Sequence, residues 1–319
     1  MAVLIGIDEA GFGPILGPLV VSSVTLKVPD DMLNADLWQV LRKSVGRTRK
    51  HLSGRLLITD SKKAYTRSLG PKHLKRAVLS CLKCLDKSPG TLSELLMMVC
   101  PDSLERLENY PWYNQAGNYD LSANKAAVSI AADVLGRDMA ANDIELLGMQ
   151  NCCLDVAYYN RMVAAVKNKA KVLFTATSTL IKQAYERYGD DEIQIIADRQ
   201  GGRIYYRRDL QLMFDDMQLR ILRESPKVSS YELVVGGRKM RIHFVVGADM
   251  LFLPVSLASM LSKYVREILI DNINSYFRGF SGELKPTAGY WKDGLRFISD
   301  LKEILPHVEY DSNQLIRSR

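Results

Sequence analysis

Gly6-Ile7-Asp8-Glu9-Ala10-Gly11-Phe12-Gly13-Pro14 is the stretch from which the fold of this 319-residue chain can be read. Ahead of it, Ala2 to Ile7 is an apolar run with the length of a buried strand. Behind it, Pro18 to Leu26 is a second β-rich run. Between them stand two adjacent carboxylates and a turn with glycine on either side of Phe12. Charge delivered by a buried strand is costly unless it is paired, hydrogen-bonded or bound to a cation. Asp8 and Glu9 therefore call for partners elsewhere in the chain.

The same grammar recurs twice. Ile193 to Ala197 is a short apolar strand that delivers Asp198, and Met240 to Val246 runs into Gly247-Ala248-Asp249. If these strands are neighbours in one sheet, four carboxylates converge at one end. Oxygen donors with few histidines nearby suit Mg²⁺ or Mn²⁺, not Zn²⁺. Two such ions held about 4 Å apart can activate a water and stabilise the leaving oxygen of a phosphodiester. On the residues alone, an acid pair serving metal-free glycoside hydrolysis stays open. After Asp249, a long helix is expected from Pro254 to Phe277. Ser256, Ser259, Lys263 and Glu267 fall on one face of it. That stripe reads equally as a solvated face or as one bearing on substrate phosphate.

Composition limits the function classes. The chain is 47% hydrophobic and 25% charged, as in ordinary globular proteins. Its formal net charge of +7 favours polyanionic partners. Five cysteines without a regular framework suit a reducing compartment. Cys81-Leu82-Lys83-Cys84 has zinc-knuckle spacing, but it lies in a helical pattern and no second pair answers it. Buried thiols are expected there. The N-terminus lacks a basic leader, and no apolar run reaches membrane-spanning length. A cytoplasmic, monomeric protein without membrane association is expected.

Strands alternating with helices indicate one α/β domain over 1–319, with insertions at about 28–55 and 88–140. The first insertion carries Arg42, Lys43, Arg47, Arg49, Lys50 and Arg55, either a solvated face or a surface for phosphates. Leu56 to Thr59 is a brief strand ahead of Asp60-Ser61-Lys62-Lys63, and Pro71 opens a helix to about Asp86. Residues 88–120 are irregular, and Tyr110, Trp112, Tyr113 and Tyr119 there read as a packed insertion more than a base-stacking surface. Ser122 is the expected cap of a helix through Leu135. A helix around Arg208 to Met217 and a hairpin turning at Gly236-Gly237 complete the middle of the chain.

Together these residues resemble ribonuclease HII and its relative ribonuclease HIII. Gly6 to Pro14, followed by Leu16-Gly17-Pro18, looks like that family's opening motif, and Asp60-Ser61-Lys62-Lys63 its second. Asp198 is similar to the third acidic site. Asp249, with Ser259, Lys263 and Arg266 at the right separations, is similar to the fourth. Ala288-Gly289-Tyr290 is a weaker match to the family's Gly-Tyr motif. Phe12 stands where ribonuclease HII usually has arginine; ribonuclease HIII also lacks that arginine and favours longer hybrids.

The resemblance implies an RNase H-like fold: a central mixed five-stranded sheet, its first strands antiparallel, with flanking helices. About 278–319 would form a helical, substrate-contacting C-terminal region. It also implies metal-dependent endonucleolytic cleavage of the RNA strand in RNA–DNA hybrids or ribonucleotide-containing duplexes. Asp8, Glu9, Asp198 and Asp249 would be catalytic and hold Mg²⁺ or Mn²⁺, two ions with substrate bound. Gly11, Phe12 and Gly13 would lie against the ribose, where the 2′-OH distinguishes RNA from DNA. Ser61, Lys62, Lys63, Ser259, Lys263 and Tyr290 would contact substrate. A binding protein of the same fold without activity, and a nuclease acting on structured DNA or RNA, are the alternatives.

Overall fold

The computed structural model describes residues 1–66, 68–114, 119–121, 124–214 and 216–318. Its strands are β1 Ala2–Ala10, β2 Leu19–Val28, β3 Val45–Gly46, β4 Leu56–Leu57, β5 Glu145–Leu154, β6 Glu192–Asp198, β7 Gln218–Glu224, β8 Val228–Val235 and β9 Arg238–Val245. All but β3 and β4, which pair with each other, lie in one sheet of order β5-β2-β1-β6-β9-β8-β7. β1 is antiparallel to β2 and parallel to β6, which is in turn parallel to β9. The sheet is mixed and its first two strands are antiparallel, as expected.

It has seven strands instead of the expected five. The hairpin turning at Gly236-Gly237 forms as expected, and β7 adds a third antiparallel strand to it. β7 is exposed along most of its length, so it lacks the in-out alternation that would mark it as a strand. The helix expected over Arg208 to Met217 is correspondingly short.

The helices are α1 Leu37–Val40, α2 Ser61–Ala64, α3 Lys72–Cys84, α4 Leu92–Val99, α5 Pro101–Glu108, α6 Lys125–Ala140, α7 Val156–Val166, α8 Lys169–Tyr188, α9 Arg207–Gln211, α10 Leu253–Arg278, α11 Trp291–Ile304 and α12 Ser312–Leu315. They cover both faces of the sheet, and the alternation of β1 divides them. Val3, Ile5 and Ile7 face a core built with α7, α8 and α9. Leu4 faces a second core built with α10 and with helices from residues 28–55 and 88–140. Gly6 lies on that second face, where an added Cβ would stand 2.2 Å from the carbonyl carbon of Pro254. Only glycine lets the backbone of α10 lie directly on β1.

Residues 88–120 are more regular than expected. Thr91 caps α4 by accepting from Glu94 N, and Pro101 opens α5. Tyr110, Trp112 and Tyr113 are packed in the core, and Tyr110 donates to Asp155, the cap of α7. Ser122, the expected cap of α6, lies outside the described residues. Cys81 is buried, and burial holds its thiol well above the usual range. Among the described residues no helix is long and apolar enough to cross a membrane.

Candidate functional site

The parallel strands β1, β6 and β9 end at one edge of the sheet. The β1–β6 ladder closes at Ile7↔Ala197, one residue before Asp8 and Asp198. Asp198 faces Val245, the last residue of β9. The chain then turns at Gly247, with φ of +66°, into a single helical turn that carries Asp249. Ala248 N donates to Asp198 Oδ1 at 2.7 Å, tying that turn to the end of β6. All four sequence-derived acids thus belong to this edge. Asp8 lies on the α10 side, where Ser262 Oγ donates to its carbonyl at 3.0 Å. Glu9 alternates to the other face and lies within electrostatic reach of Tyr206.

The electrostatics are those of a buried anion cluster whose members raise one another. Burial raises Asp8 well above the usual carboxylate range, and Glu9, Asp198 and Asp249 raise it further. A hydrogen bond with the Ser259 side chain pulls the other way. Burial, then Asp198, pushes Glu9 up to about 7. Asp198 is pushed up to about 6 by burial and by Asp249, against the pull of the Ala248 N–H. Asp249 is raised by burial and by Asp60. Among the described residues no three His, Cys, Asp or Glu side chains are already gathered into a coordination set. The donors at this edge are all carboxylate oxygens, the chemistry that suits Mg²⁺ or Mn²⁺. Mg²⁺ commonly keeps several waters and binds through one or two carboxylates plus substrate phosphate.

Beside the carboxylates, the turn at Gly11-Phe12-Gly13 is held from behind. Gly11 has φ of +94°, and a Cβ there would meet Arg266 Nε at 2.6 Å. Arg266 is fully buried. Its Nη2 donates to Leu16 O and to Ala288 O, each at 3.2 Å, while its Nε has no hydrogen-bond partner. Arg317, near the end of the chain, donates through Nη1 to Gly11 O and through Nη2 to Phe12 O at 3.1 Å. The segment around it is pinned as well, since Arg317 N donates to Ile15 O at 2.8 Å. Gly13, by contrast, faces open space. The turn is rigid at its back and free at its front, an arrangement that lets main-chain groups approach a ligand closely. The Phe12 ring is partly buried against the α8-side core, and Lys169 Nζ lies 5.3 Å from its centroid.

The remaining sequence-derived residues fall into three sets. Asp60 caps α2 by accepting from Lys62 N at 2.8 Å, and the positive charges of Lys62 and Lys63 act on Asp249. Tyr290 is 49% exposed, with the Arg266 guanidinium 5.7 Å from its ring centroid. Gly289 O accepts from Ile15 N at 2.8 Å, so this motif sits against the glycine turn. The polar stripe of α10 is buried except for the half-buried Lys263, so it is not a solvated face. Ser256 donates to Asp249 O, Ser259 Oγ lies 3.0 Å from Ser61 Oγ, and Lys263 pairs with Glu267. Ser259 and Ser61 are themselves buried and brace the site from beneath. Arg317 was not among the sequence candidates; its contacts lie about 300 residues away along the chain, and no local pattern marks them.

The sequence matches no family model and no curated protein. Solved structures similar to it include the ribonuclease HII of Archaeoglobus fulgidus in complex with PCNA. There the identity is 16% and the TM-score 0.47, over 99% of this chain and 94% of that one. The ribonuclease H2 of Pyrococcus horikoshii is 14% identical with a TM-score of 0.44, over 98% and 92% of the two chains. Bst ribonuclease HIII in complex with Mn²⁺ is 16% identical with a TM-score of 0.41, over 99% and 66%. At these TM-scores the likeness is too loose to carry a functional conclusion, which has to come from the residues of the site.

Proposed function

We propose that this chain is a divalent-metal-dependent endonuclease that hydrolyses the RNA strand of RNA–DNA hybrids. One observation carries the reading: β1, β6 and β9 end at a common edge with Asp8, Glu9, Asp198 and Asp249, directly beside the braced glycine turn. Mg²⁺ or Mn²⁺ held by those carboxylates would polarise a phosphodiester and supply an activated water. The chain's own residues do the rest. Gly11 and Gly13 present main chain to the ribose, where a 2′-OH can donate or accept and a deoxyribose cannot. Lys62 and Lys63 set positive charge beside Asp249, suited to a substrate phosphate. Ser259 and Ser262 fix the Asp8 strand end so that its carboxylate keeps one position as substrate enters.

The test is incubation with Mg²⁺ or Mn²⁺ and three labelled duplexes: a long RNA–DNA hybrid, DNA with one embedded ribonucleotide, and all-DNA. The long hybrid should be cut and the all-DNA duplex left intact; the second duplex decides between HIII-like and HII-like preference. Asp198→Asn should lower cleavage by on the order of 10³-fold or more, with an unchanged circular dichroism spectrum. Undiminished hydrolysis by that variant would rule out the assigned carboxylates.

A further inference from the structure

The insertion at 28–55 does more than decorate the fold. It folds back so that Arg47 and Arg49 meet Leu57, Thr59, Lys63 and Met250 around an open groove of about 370 Å³. Met250 directly follows Asp249, and Lys63 Nζ lies 3.7 Å from its Sδ. The groove therefore begins where the carboxylate edge ends.

The basic residues of this region have two distinct uses. Arg55 and Arg76 are spent on the backbone. Arg55 donates to Leu52 O and Arg42 O, both at 3.0 Å, and Arg76 donates to Arg55 O at 3.1 Å. Arg47 and Arg49 are exposed, and among the described residues no carboxylate lies within 4.0 Å of them or of Lys63. The Arg47 guanidinium rests 4.5 Å from the ring centroid of Trp38, which is itself buried and anchored through Nε1 to Ile58 O at 2.8 Å. An arginine seated on an aromatic face keeps its N–H edge available and loses little freedom when it binds. Ser44 N donates to Asp138 Oδ2 at 2.9 Å, fastening the segment to α6. The field here is positive enough that Lys72, Arg49 and Arg76 add to burial in lowering His73.

From this geometry we infer a second phosphate-binding subsite: Arg47 and Arg49, across the groove from Lys63, grip the sugar–phosphate backbone of the nucleic acid whose scissile strand lies at the carboxylates. The inference rests on the ribonuclease reading for the identity of that duplex. Arg47 and Arg49, with no carboxylate within 4.0 Å among the described residues, line an open groove that suits a backbone passing through it better than a small enclosed anion. Contacts to phosphate oxygens carry no sequence information, so the groove contributes grip, not base preference.

The experiment uses the full chain in an Asp198→Asn background with Mg²⁺, measuring binding to a fluorescein-labelled RNA–DNA hybrid by anisotropy across a KCl series. Cleavage by the unsubstituted chain is assayed in parallel. Arg47→Glu/Arg49→Glu should raise Kd by about 10-fold or more and reduce the slope of log K against log[salt] by about 2. Arg49→Gln alone should reduce the slope by about 1, and Arg238→Glu, at the opposite end of β9, should leave it unchanged. If the double variant folds normally and keeps the parental Kd and slope, the subsite is wrong even where the hybrid is cleaved. If nothing is cleaved but the slope still falls by about 2, the subsite stands and the ribonuclease reading fails. Absence of any duplex binding by the parent overturns the subsite.

Discussion

Two long helices cross the same sheet on opposite faces and do different work. α8 spans 20 residues, and its buried side chains are apolar apart from Thr177, whose hydroxyl donates to Leu173 O in its own helix at 3.2 Å and accepts from Gln200 Nε2 at 2.5 Å. α10 spans 26 residues and buries Ser256, Ser259, Ser262, Arg266 and Glu267 among its apolar ones. Four of these reach out of the helix to the site: Ser256 to Asp249 O, Ser259 to Ser61 Oγ, Ser262 to Asp8 O, and Arg266 to Leu16 O behind the glycine turn. A buried hydrogen bond contributes only about 1 kcal/mol net, so a polar seam is a poor way to stabilise a helix–sheet interface. α8 is built to hold the sheet, and α10 to hold the strand ends and turns that carry the candidate chemistry.

If that division is right, damage to the two faces should separate in measurement. Leu180 on α8 is 1% exposed. Leu180→Ala should cost about 2–5 kcal/mol in urea unfolding, while the specific activity of the folded fraction stays at the parental value. A matching fall in kcat under fully native conditions would mean that the α8 face also shapes the site.

How much of this could be read from sequence follows the same line. The acids of β1, β6 and β9 were legible because each follows an apolar strand, a local pattern. The α10 stripe was legible as a stripe but not as a buried one. Its burial depends on Gly6 bringing the helix backbone onto β1, a contact about 250 residues distant in the chain. β7 escaped because an exposed edge strand has no buried face to imprint alternation. α4 and α5 are short and hidden among turn-forming residues. Arg317 escaped altogether, since nothing around it distinguishes a brace for Gly11 from an exposed terminal arginine.

Arg317 gives the next test. Arg317→Ala removes two charge-assisted hydrogen bonds to the main chain of the glycine turn, each such bond being worth about 1.5–3 kcal/mol. The turn is then free to move, so KM for the hybrid should rise more than kcat falls, with a total loss in kcat/KM of about 10–100-fold. Arg317→Lys should rescue little, because one ammonium cannot reach both carbonyls as the guanidinium does. Full rescue by lysine would indicate that only the charge matters there.

The smallest effect is expected at Ser259, where a conservative change isolates positioning from packing. Its hydroxyl donates to Ser61 Oγ at 3.0 Å, and Ser259 pulls the Asp8 pKa down against burial and the neighbouring acids. Ser259→Ala leaves the α10 backbone and its apolar contacts intact, so the stability change should stay near 1 kcal/mol. Asp8 then loses a lowering influence and Ser61 its hydroxyl partner, and kcat should fall by about 5–10-fold with KM little changed. Ser259→Thr keeps the hydroxyl but adds a methyl to a site that is 3% exposed. It should restore kcat at some cost in Tm, which ties the activity to the hydroxyl and not to the volume of the side chain. Should alanine cost stability and leave kcat untouched, Ser259 would be a packing residue, and the distinction between the two helices would not extend to this position.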